Sequence, residues 1–286
     1  MKKLFYGVQA TGQGHISRAR AMANALLEHD VEVTWLFSGR PREALFDMAM
    51  FGDYEHRQGL TFATRGGRIR YLQTAAINAP LRFLRDVREL DLTSFDLVVC
   101  DFEPVTAWAA RRAGRPTIGI GHQYAFGPGT PVAGANWLST TIMRNFAPVT
   151  TPLGLHWHDF APTVLPPILD LPDMPCRHDG AVLVYLPFED QDKVTELLHR
   201  FQGIQFVQYS PELVDAQSSN VALRKASFDK FKVDLAASSG VICNAGFELI
   251  SECLQWRKPV LAKPLHGQME QLSNAQALDE LGLSQF

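Results

Sequence analysis

Two hydrophobic rhythms alternate along this chain. Residues 3–9 form a compact apolar run, dense enough for a buried strand, and residues 16–27 then space their apolar positions as a helix does. Residues 31–37 read as a second strand. A helix around 82–90, a strand at 96–100, a helix around 105–113 and a strand at 117–120 continue the series. The second half repeats the style, with strands at 181–186, 206–209, 240–243 and 259–262 and helices at 193–201, 246–255 and 268–281. Strands separated by helices predict an α/β protein whose parallel sheets are covered on both faces.

Proline supplies the punctuation. Of 17 prolines, five (Pro162, Pro166, Pro167, Pro172 and Pro175) fall between residues 162 and 175. Lacking an N–H and forcing extended neighbours, they predict a stiff connector. The expected organisation is an N-terminal domain over 1–168, a linker over 169–178 and a C-terminal domain over 179–286. Two doubly wound, Rossmann-like domains facing across a cleft are the economical architecture. Ligands of such sheets bind beyond the carboxyl ends of the strands.

Composition narrows the function classes. A length of 286 residues suits two domains that each bury a core. With 27 basic against 30 acidic side chains the formal net charge is -3, which disfavours a nucleic-acid binder. No apolar run approaches the ~18 residues that a membrane span needs. The first apolar stretch ends at Gln9, Thr11, Gly12 and Gln13, too soon for a secretory signal. Cys100, Cys176, Cys243 and Cys253 form no Cys-x-x-Cys pair, which suits reduced thiols and a cytoplasmic location.

Candidate chemistry gathers where strands pass into helices. In Thr11-Gly12-Gln13-Gly14-His15, Gly12 and Gly14 let backbone approach a ligand, and the helix start carries partial positive charge. Ser17 stands where a dinucleotide fingerprint wants its third glycine, and Phe37-Ser38-Gly39 lacks that motif's acid, which counts against NAD or FAD. His15 is a titratable ring at this turn, either a helix-start residue in solvent or a base. Asp101 follows the strand at 96–100; it could orient that imidazole or, like Glu103, cap the helix beginning near Pro104. Farther on, Cys243-Asn244-Ala245-Gly246-Phe247-Glu248 leads a strand into a helix whose first N–H groups can hold a diphosphate. Glu248 and Glu252 share a face of that helix, and Glu252 suits a ribose diol. Glu270 and Gln271 open the last helix with an acceptor and a donor fit for sugar hydroxyls.

Residues 240–275 resemble the donor-site signature of GT-B nucleotide-sugar glycosyltransferases. The pattern of the UDP-glycosyltransferases runs His-Cys-Gly-Trp-Asn-Ser, then Glu, Asp-Gln and Asn-Ala. Asn244-Ala245-Gly246-Phe247-Glu248, Glu252, Glu270-Gln271 and Asn274-Ala275 stand at those places. Gly12-Gln13-Gly14-His15 is similar to the same family's Gly-x-Gly-His. The chain also resembles the lipid-linked N-acetylglucosaminyltransferase of peptidoglycan synthesis and bacterial glycosyltransferase-like proteins with Asn-Ala-Gly-Phe-Glu.

The resemblance implies a GT-B fold and transfer of a sugar from a nucleotide-diphosphate donor, UDP-linked, to an acceptor hydroxyl, with inversion and without a metal. It implies His15 as general base with Asp101 as its partner. The donor site would comprise Asn244, Ala245, Gly246, Phe247, Glu248, Glu252, Glu270 and Gln271. No resident cofactor is implied, since the nucleotide sugar is a co-substrate. Asn244 stands for a phosphate-contacting histidine, Glu270 for an aspartate, and Phe228 or Phe231 for a base-stacking tryptophan. GT-B chains usually continue into helices that return to the first domain, so an end at Phe286 implies a shortened second domain.

Other signals are less committed. Arg65, Arg68, Arg70, Arg82, Arg85 and Arg88 face one acid, Asp86, across residues 65–88. Arg82, Arg85 and Arg88 run beside Leu81, Leu84 and Val87. They form either a solvated helix face or a seat for an anionic glycan, a lipid-linked acceptor or the acidic inner membrane surface. A weak peripheral membrane contact is the matching expectation. His122-Gln123-Tyr124 also lies on the acceptor side, with His122 the candidate there beside Arg82 and Arg85. Asp190-Gln191-Asp192 imitates a metal–nucleotide motif but opens a helix, where acids complement the dipole. His156 and His158 would share a strand face, without a third ligand for a metal. Two rival readings are a hydrolysing sugar-nucleotide 2-epimerase of the same architecture and a sugar-nucleotide-binding accessory protein without turnover.

Overall fold

The computed structural model describes residues 1–61, 64, 65, 68, 69, 74 and 77–283. The chain divides into two compact units, Met1–Ala63 with Tyr71–Asp170 and Leu171–Phe286 with Thr64–Arg70.

In the first unit β1 (Lys2–Gln9) leads into α1 (Gln13–Leu26), β2 (Val31–Ser38) and the short β3 (Glu55–His56). The antiparallel pair β4 (Thr64–Arg65) and β5 (Arg68–Ile69) belongs to the second unit. Next come α2 (Pro80–Glu89), β6 (Leu97–Asp101), α3 (Pro104–Arg112) and β7 (Thr117–Gly121). A 3-10 turn (His122–Ala125), α4 (Trp137–Asn145), β8 (Thr151–Leu155) and β9 (Val164–Leu165) complete the unit. Its strands form a parallel sheet in the order β3-β2-β1-β6-β7-β8-β9. The period of two in β1 explains why both faces are covered. Leu4, Tyr6 and Val8 join Ile16, Trp35 and Phe37 in one core, while Phe5 joins Val98, Val105 and Ala109 in another. Strand order reverses between β1 and β6, where Val8 lies beside Asp101. Loops leaving the carboxyl ends at such a switch point are where doubly wound sheets bind ligands.

The second unit runs β10 (Val182–Tyr185), α5 (Gln191–His199), β11 (Phe206–Ser210), β12 (Ala216–Ser218) and β13 (Val221–Lys225). It continues with α6 (Phe228–Ala237), β14 (Gly240–Asn244), α7 (Phe247–Gln255), β15 (Val260–Lys263) and α8 (Met269–Glu280). The order is β12-β13-β11-β10-β14-β15, parallel except for the β12–β13 hairpin, with its switch point between β10 and β14. Val184, Leu186, Val194, Leu198, Phe206 and Val221 form a core under this sheet.

Most expected strands and helices are present with edges moved by a residue or so, and α1 starts three residues early because it takes in Gln13-Gly14-His15. Several elements were not expected. Pro152 and Gly154 disguise β8, whose hydrogen-bonded partner β7 makes it a strand. The α6 helix interleaves four charges with its first apolar residues, and its Phe231 packs on Tyr185 and Tyr209 of the sheet.

Glycine has a packing role in β1. A Cβ at Gly7 would run into the Thr106 side chain of α3, which is itself fully buried. Gly7→Ala is therefore expected to destabilise the first unit by about 1–3 kcal/mol through overpacking. Urea unfolding reads this as a lower midpoint at unchanged slope; an unchanged midpoint would mean that α3 rides on β1 loosely.

Candidate active site

Two acids end β6, and they divide their work. Glu103 caps α3: its carboxylate accepts from the N–H groups of Val105 (2.9 Å) and Thr106 (2.6 Å) and from Ser38 Oγ (2.6 Å). Burial pushes the Glu103 carboxyl up, and these hydrogen bonds restrain the rise. Between the acids Phe102 takes a left-handed backbone (φ 50°), held by ring contacts with Tyr124 and Phe146. The cap is thereby filled by Glu103, and Asp101 turns to α1 instead.

Asp101 has no exposure to solvent, and three charge-assisted hydrogen bonds surround it. His15 Nδ1 lies 2.7 Å from Oδ1, while Arg18 donates Nη2–H to Oδ1 at 2.6 Å and Nε–H to Oδ2 at 2.8 Å. His15 and Arg18 are three residues apart on α1 and so share one helix face. Burial pushes the Asp101 carboxyl up, but the Arg18 guanidinium and then the His15 imidazole more than offset this and hold it below the usual carboxylate range. A 2.7 Å approach to a carboxylate oxygen requires the hydrogen on Nδ1, which assigns the lone pair to Nε2. The Gln123 amide nitrogen, 3.4 Å from Nε2, faces that lone pair. Gly121 borders the network: a Cβ there would stand 3.2 Å from Asp101 Oδ1 and 3.4 Å from Gln123 Oε1. At the start of α1, Gly12 has open space over it, and Gly14 lies in the first turn. The His15 side chain keeps 15% exposure. Such a group can take a proton at Nε2 while Asp101 stabilises the cation formed.

The other acceptor-side candidates fare differently. His122 is buried, donates Nδ1–H to the Leu155 carbonyl at 2.8 Å and packs on Phe126 and His156. The adjacent Gln123 is the residue of that turn that meets His15. Arg82 and Arg85 are exposed on α2. Arg70 and the side chains of Arg65 and Arg68 lie outside the described residues. His156 and His158 do not share a face, since the first is buried and the second exposed. Burial, with His158 adding, pulls the His156 imidazole down to about 4.

In the second unit β14 enters α7 through Ala245 and Gly246. Gly246 has an ordinary extended backbone (φ -77°, ψ 141°), no side chain caps the helix, and a Cβ at Gly246 would meet nothing within 4 Å. Neither backbone nor packing demands glycine here, so the positive helix end opens onto unobstructed space. Asn244 donates its amide to the Lys263 carbonyl at 3.1 Å, which ties β14 to β15. Ala245 is buried, and its carbonyl accepts from Asn274 at 2.9 Å. The Phe247 side chain is buried, as is Glu248 in the first turn.

Glu252 is buried in an ion pair with Lys232 of α6, whose ammonium sits 5.2 Å from the Phe228 ring centroid. Phe231 is committed to Tyr185 and Tyr209, which leaves Phe228 as the ring beside this pair. Glu270 is half-buried in the first turn of α8. Gln271 Oε1 accepts from the Leu265 N–H at 2.9 Å and braces the preceding loop. Burial pushes the Cys243 thiol up to about 12, which disqualifies it as a nucleophile. Asp190 caps α5 by accepting from the Lys193 N–H at 3.3 Å.

Arg18 and Lys232 were not foreseen from sequence. The spacing of Arg18 from His15 was a usable signal; Lys232 has none, because only the packing of α6 on α7 brings it to Glu252. Removing the central carboxylate should expose the ledger of the first network. Asp101→Asn leaves the Arg18 guanidinium buried without its counter-charge, and a loss of about 3–5 kcal/mol is expected at neutral pH. The folded-state pKa of Asp101 lies below the unfolded ~3.9, so its stabilisation is present above that value and fades as pH falls through the folded pKa. Urea unfolding of both proteins across pH should show the gap closing only on the acid side of that value; a gap independent of pH would contradict it.

The sequence profile of glycosyl transferase family 1 matches residues 2–130 and 154–286. No curated protein gave a match. Among solved structures, Phytolacca americana UGT2, complexed with UDP-2fluoro-glucose and pterostilbene, is similar over 98% of this chain and 83% of its own, at 14% identity and a TM-score of 0.58. Acinetobacter baumannii MurG is similar over 99% of this chain and 84% of its own, at 14% identity and a TM-score of 0.57. The glycosyltransferase SnogD from Streptomyces nogalater is similar over 98% of this chain and 85% of its own, at 17% identity and a TM-score of 0.56. Likeness at such identities is one of fold, whereas the profile takes in both switch points, with His15, Asp101 and the start of α7. The chain belongs to glycosyl transferase family 1, and its fold is GT-B.

Proposed function

We propose that this protein moves a sugar from a UDP-linked donor, held by the second unit, to a hydroxyl of an acceptor held by the first. The reaction inverts the anomeric carbon and uses no metal. The observation that carries the reading is His15 standing 2.7 Å from a fully buried Asp101 at the switch point of a family 1 chain.

His15 Nε2 takes the proton of the acceptor hydroxyl as that oxygen bonds to the anomeric carbon. The bond from this carbon to the diphosphate oxygen breaks, and its electron pair leaves with the nucleoside diphosphate. A single displacement inverts the centre, and the Asp101 carboxylate steadies the imidazolium. The leaving charge falls on the start of α7, over the open Gly246. Asn244 and Ala245 shape that turn, and the backbone of Phe247 and Glu248 supplies its dipole. Glu252 accepts from the ribose hydroxyls with its charge balanced by Lys232, Phe228 offers a ring to the base, and Glu270 and Gln271 meet the sugar.

The donor and base assignments separate cleanly in one experiment. UDP should raise the melting temperature of the parent protein. Gly246→Leu sets its Cβ in open space on an ordinary backbone, so it should fold as the parent does but lose the UDP-dependent rise. His15→Ala should keep that rise and lose about 10²–10⁴-fold in release of nucleoside diphosphate with acceptor present. Full turnover by His15→Ala would sink the general-base role. Donor consumption without acceptor, with solvent hydrogen at the sugar C2, would mark an epimerase instead.

The acceptor side carries a cue to its partner. Leu81 and Leu84 are exposed on the same face of α2 as Arg85 and Arg88, with Arg82 at its flank. Apolar groups beside cations suit an anionic, lipid-linked acceptor at the inner membrane face. No helix among the described residues is long and apolar enough to cross a membrane. Co-sedimentation with vesicles containing acidic phospholipid is expected for the parent, and Leu81→Glu/Leu84→Glu should lose it. Equal sedimentation of both would remove the membrane contact and leave the transferase reading intact.

A further inference from the structure

Arg18 belongs to the His15–Asp101 network yet takes no part in the transfer described above. Its side chain is buried, and one nitrogen touches both partners: Nη2 lies 2.6 Å from Asp101 Oδ1 and 2.9 Å from His15 Nδ1. With Nε on Oδ2, the guanidinium grips the carboxylate at both oxygens. A carboxylate facing an imidazole alone favours the imidazolium, since each neutralises the other. Here the carboxylate is already matched by a cation. Protonating His15 puts a second positive charge beside the first, next to a buried guanidinium that water screens little.

We propose that Arg18 is the positioning residue of the general base, fixing Asp101 against His15 and opposing protonation of His15 until the acceptor delivers its proton. The proposal rests on the general-base reading of His15. Arg18 thus makes the resting base available, and Asp101 still supports the cation once it forms. Tyr6 on β1 and Cys100 on β6 border Asp101, and burial pushes both well up, so they remain neutral. Gln123 carries no charge, and Glu103 is directed to Ser38 and the start of α3. Arg40, a cation near the start of α1, reaches Gln13 Oε1 at 2.9 Å. Gly121 borders the contact: its missing Cβ would stand within ordinary contact of Arg18 Nη2 at 3.7 Å.

The test is a titration of His15 in the full chain with isotope-labelled histidine, followed by NMR, its signal identified by loss in His15→Asn. Arg18→Gln should raise the His15 midpoint by about one pH unit or more. The acid limb of kcat/KM should move with it, while Arg18→Lys, which keeps the cation, should stay closer to the parent. Should Arg18→Gln alone not fold, the pair Asp101→Asn and Arg18→Gln/Asp101→Asn is read instead, in sucrose to strengthen the folded state. The variant that retains Arg18 should then show the lower midpoint, again by about one unit or more. A midpoint indifferent to Arg18 overturns the proposal, including when stability falls, which is all that a purely structural arginine would produce. The titration needs neither donor nor acceptor, so a failure of the transferase reading would be seen separately.

Discussion

A carboxylate shut away from water keeps its charge only where cations and N–H groups surround it. In the first unit that constraint organises everything near the switch point. Asp101 satisfies it with His15 and Arg18, one turn apart on α1, so the strand that ends in the acid and the helix that starts at Gln13 are tied together. Glu103 must then satisfy the same constraint elsewhere, and it does so by capping α3 and bonding Ser38 at the end of β2. Two neighbouring acids thereby pin three different elements. The left-handed Phe102 between them is the local strain of sending them in different directions.

The second unit meets the opposite situation. Glu252 has its counter-charge in Lys232, also buried, so α6 and α7 are joined by an internal pair. A few residues away the start of α7 is left open over Gly246, where a side chain would fit and none stands. The first unit thus matches its buried acid within the chain and leaves the His15 Nε2 lone pair facing the Gln123 amide. The other leaves the start of α7 without a side-chain cap. The proposed transfer makes two demands, a base and a seat for the departing diphosphate, and it assigns one to each unit.

Much of this was legible before any coordinates. The strand–helix alternation reflects burial of both faces of a parallel sheet, which makes each strand an apolar run and each helix an amphipathic one. Glycines at the two strand-to-helix turns mark backbone approach, and His15, Asp101 and Gly246 were visible for that reason. Elements whose apolar residues are few or interrupted were not. Strand β8 carries Pro152 and Gly154, and α6 shows its use for Phe231 only against Tyr185 and Tyr209. His122 looked available because it follows β7 at the right end. Its ring is buried and bonded to the Leu155 carbonyl, and Gln123 is the neighbour that faces His15.

By itself the chain's sequence determined the class of fold and marked the two glycine-bearing strand-to-helix turns, with His15 and Asp101 as candidates, because periodicity and residue chemistry are local. Only tertiary structure decided how each buried charge was matched: which acid caps α3, which cation shares Asp101 with His15, and which lysine meets Glu252. Such pairings join residues as far apart as His15 and Asp101. They depend on strand order, and no local pattern encodes which distant partner a desolvated charge will find.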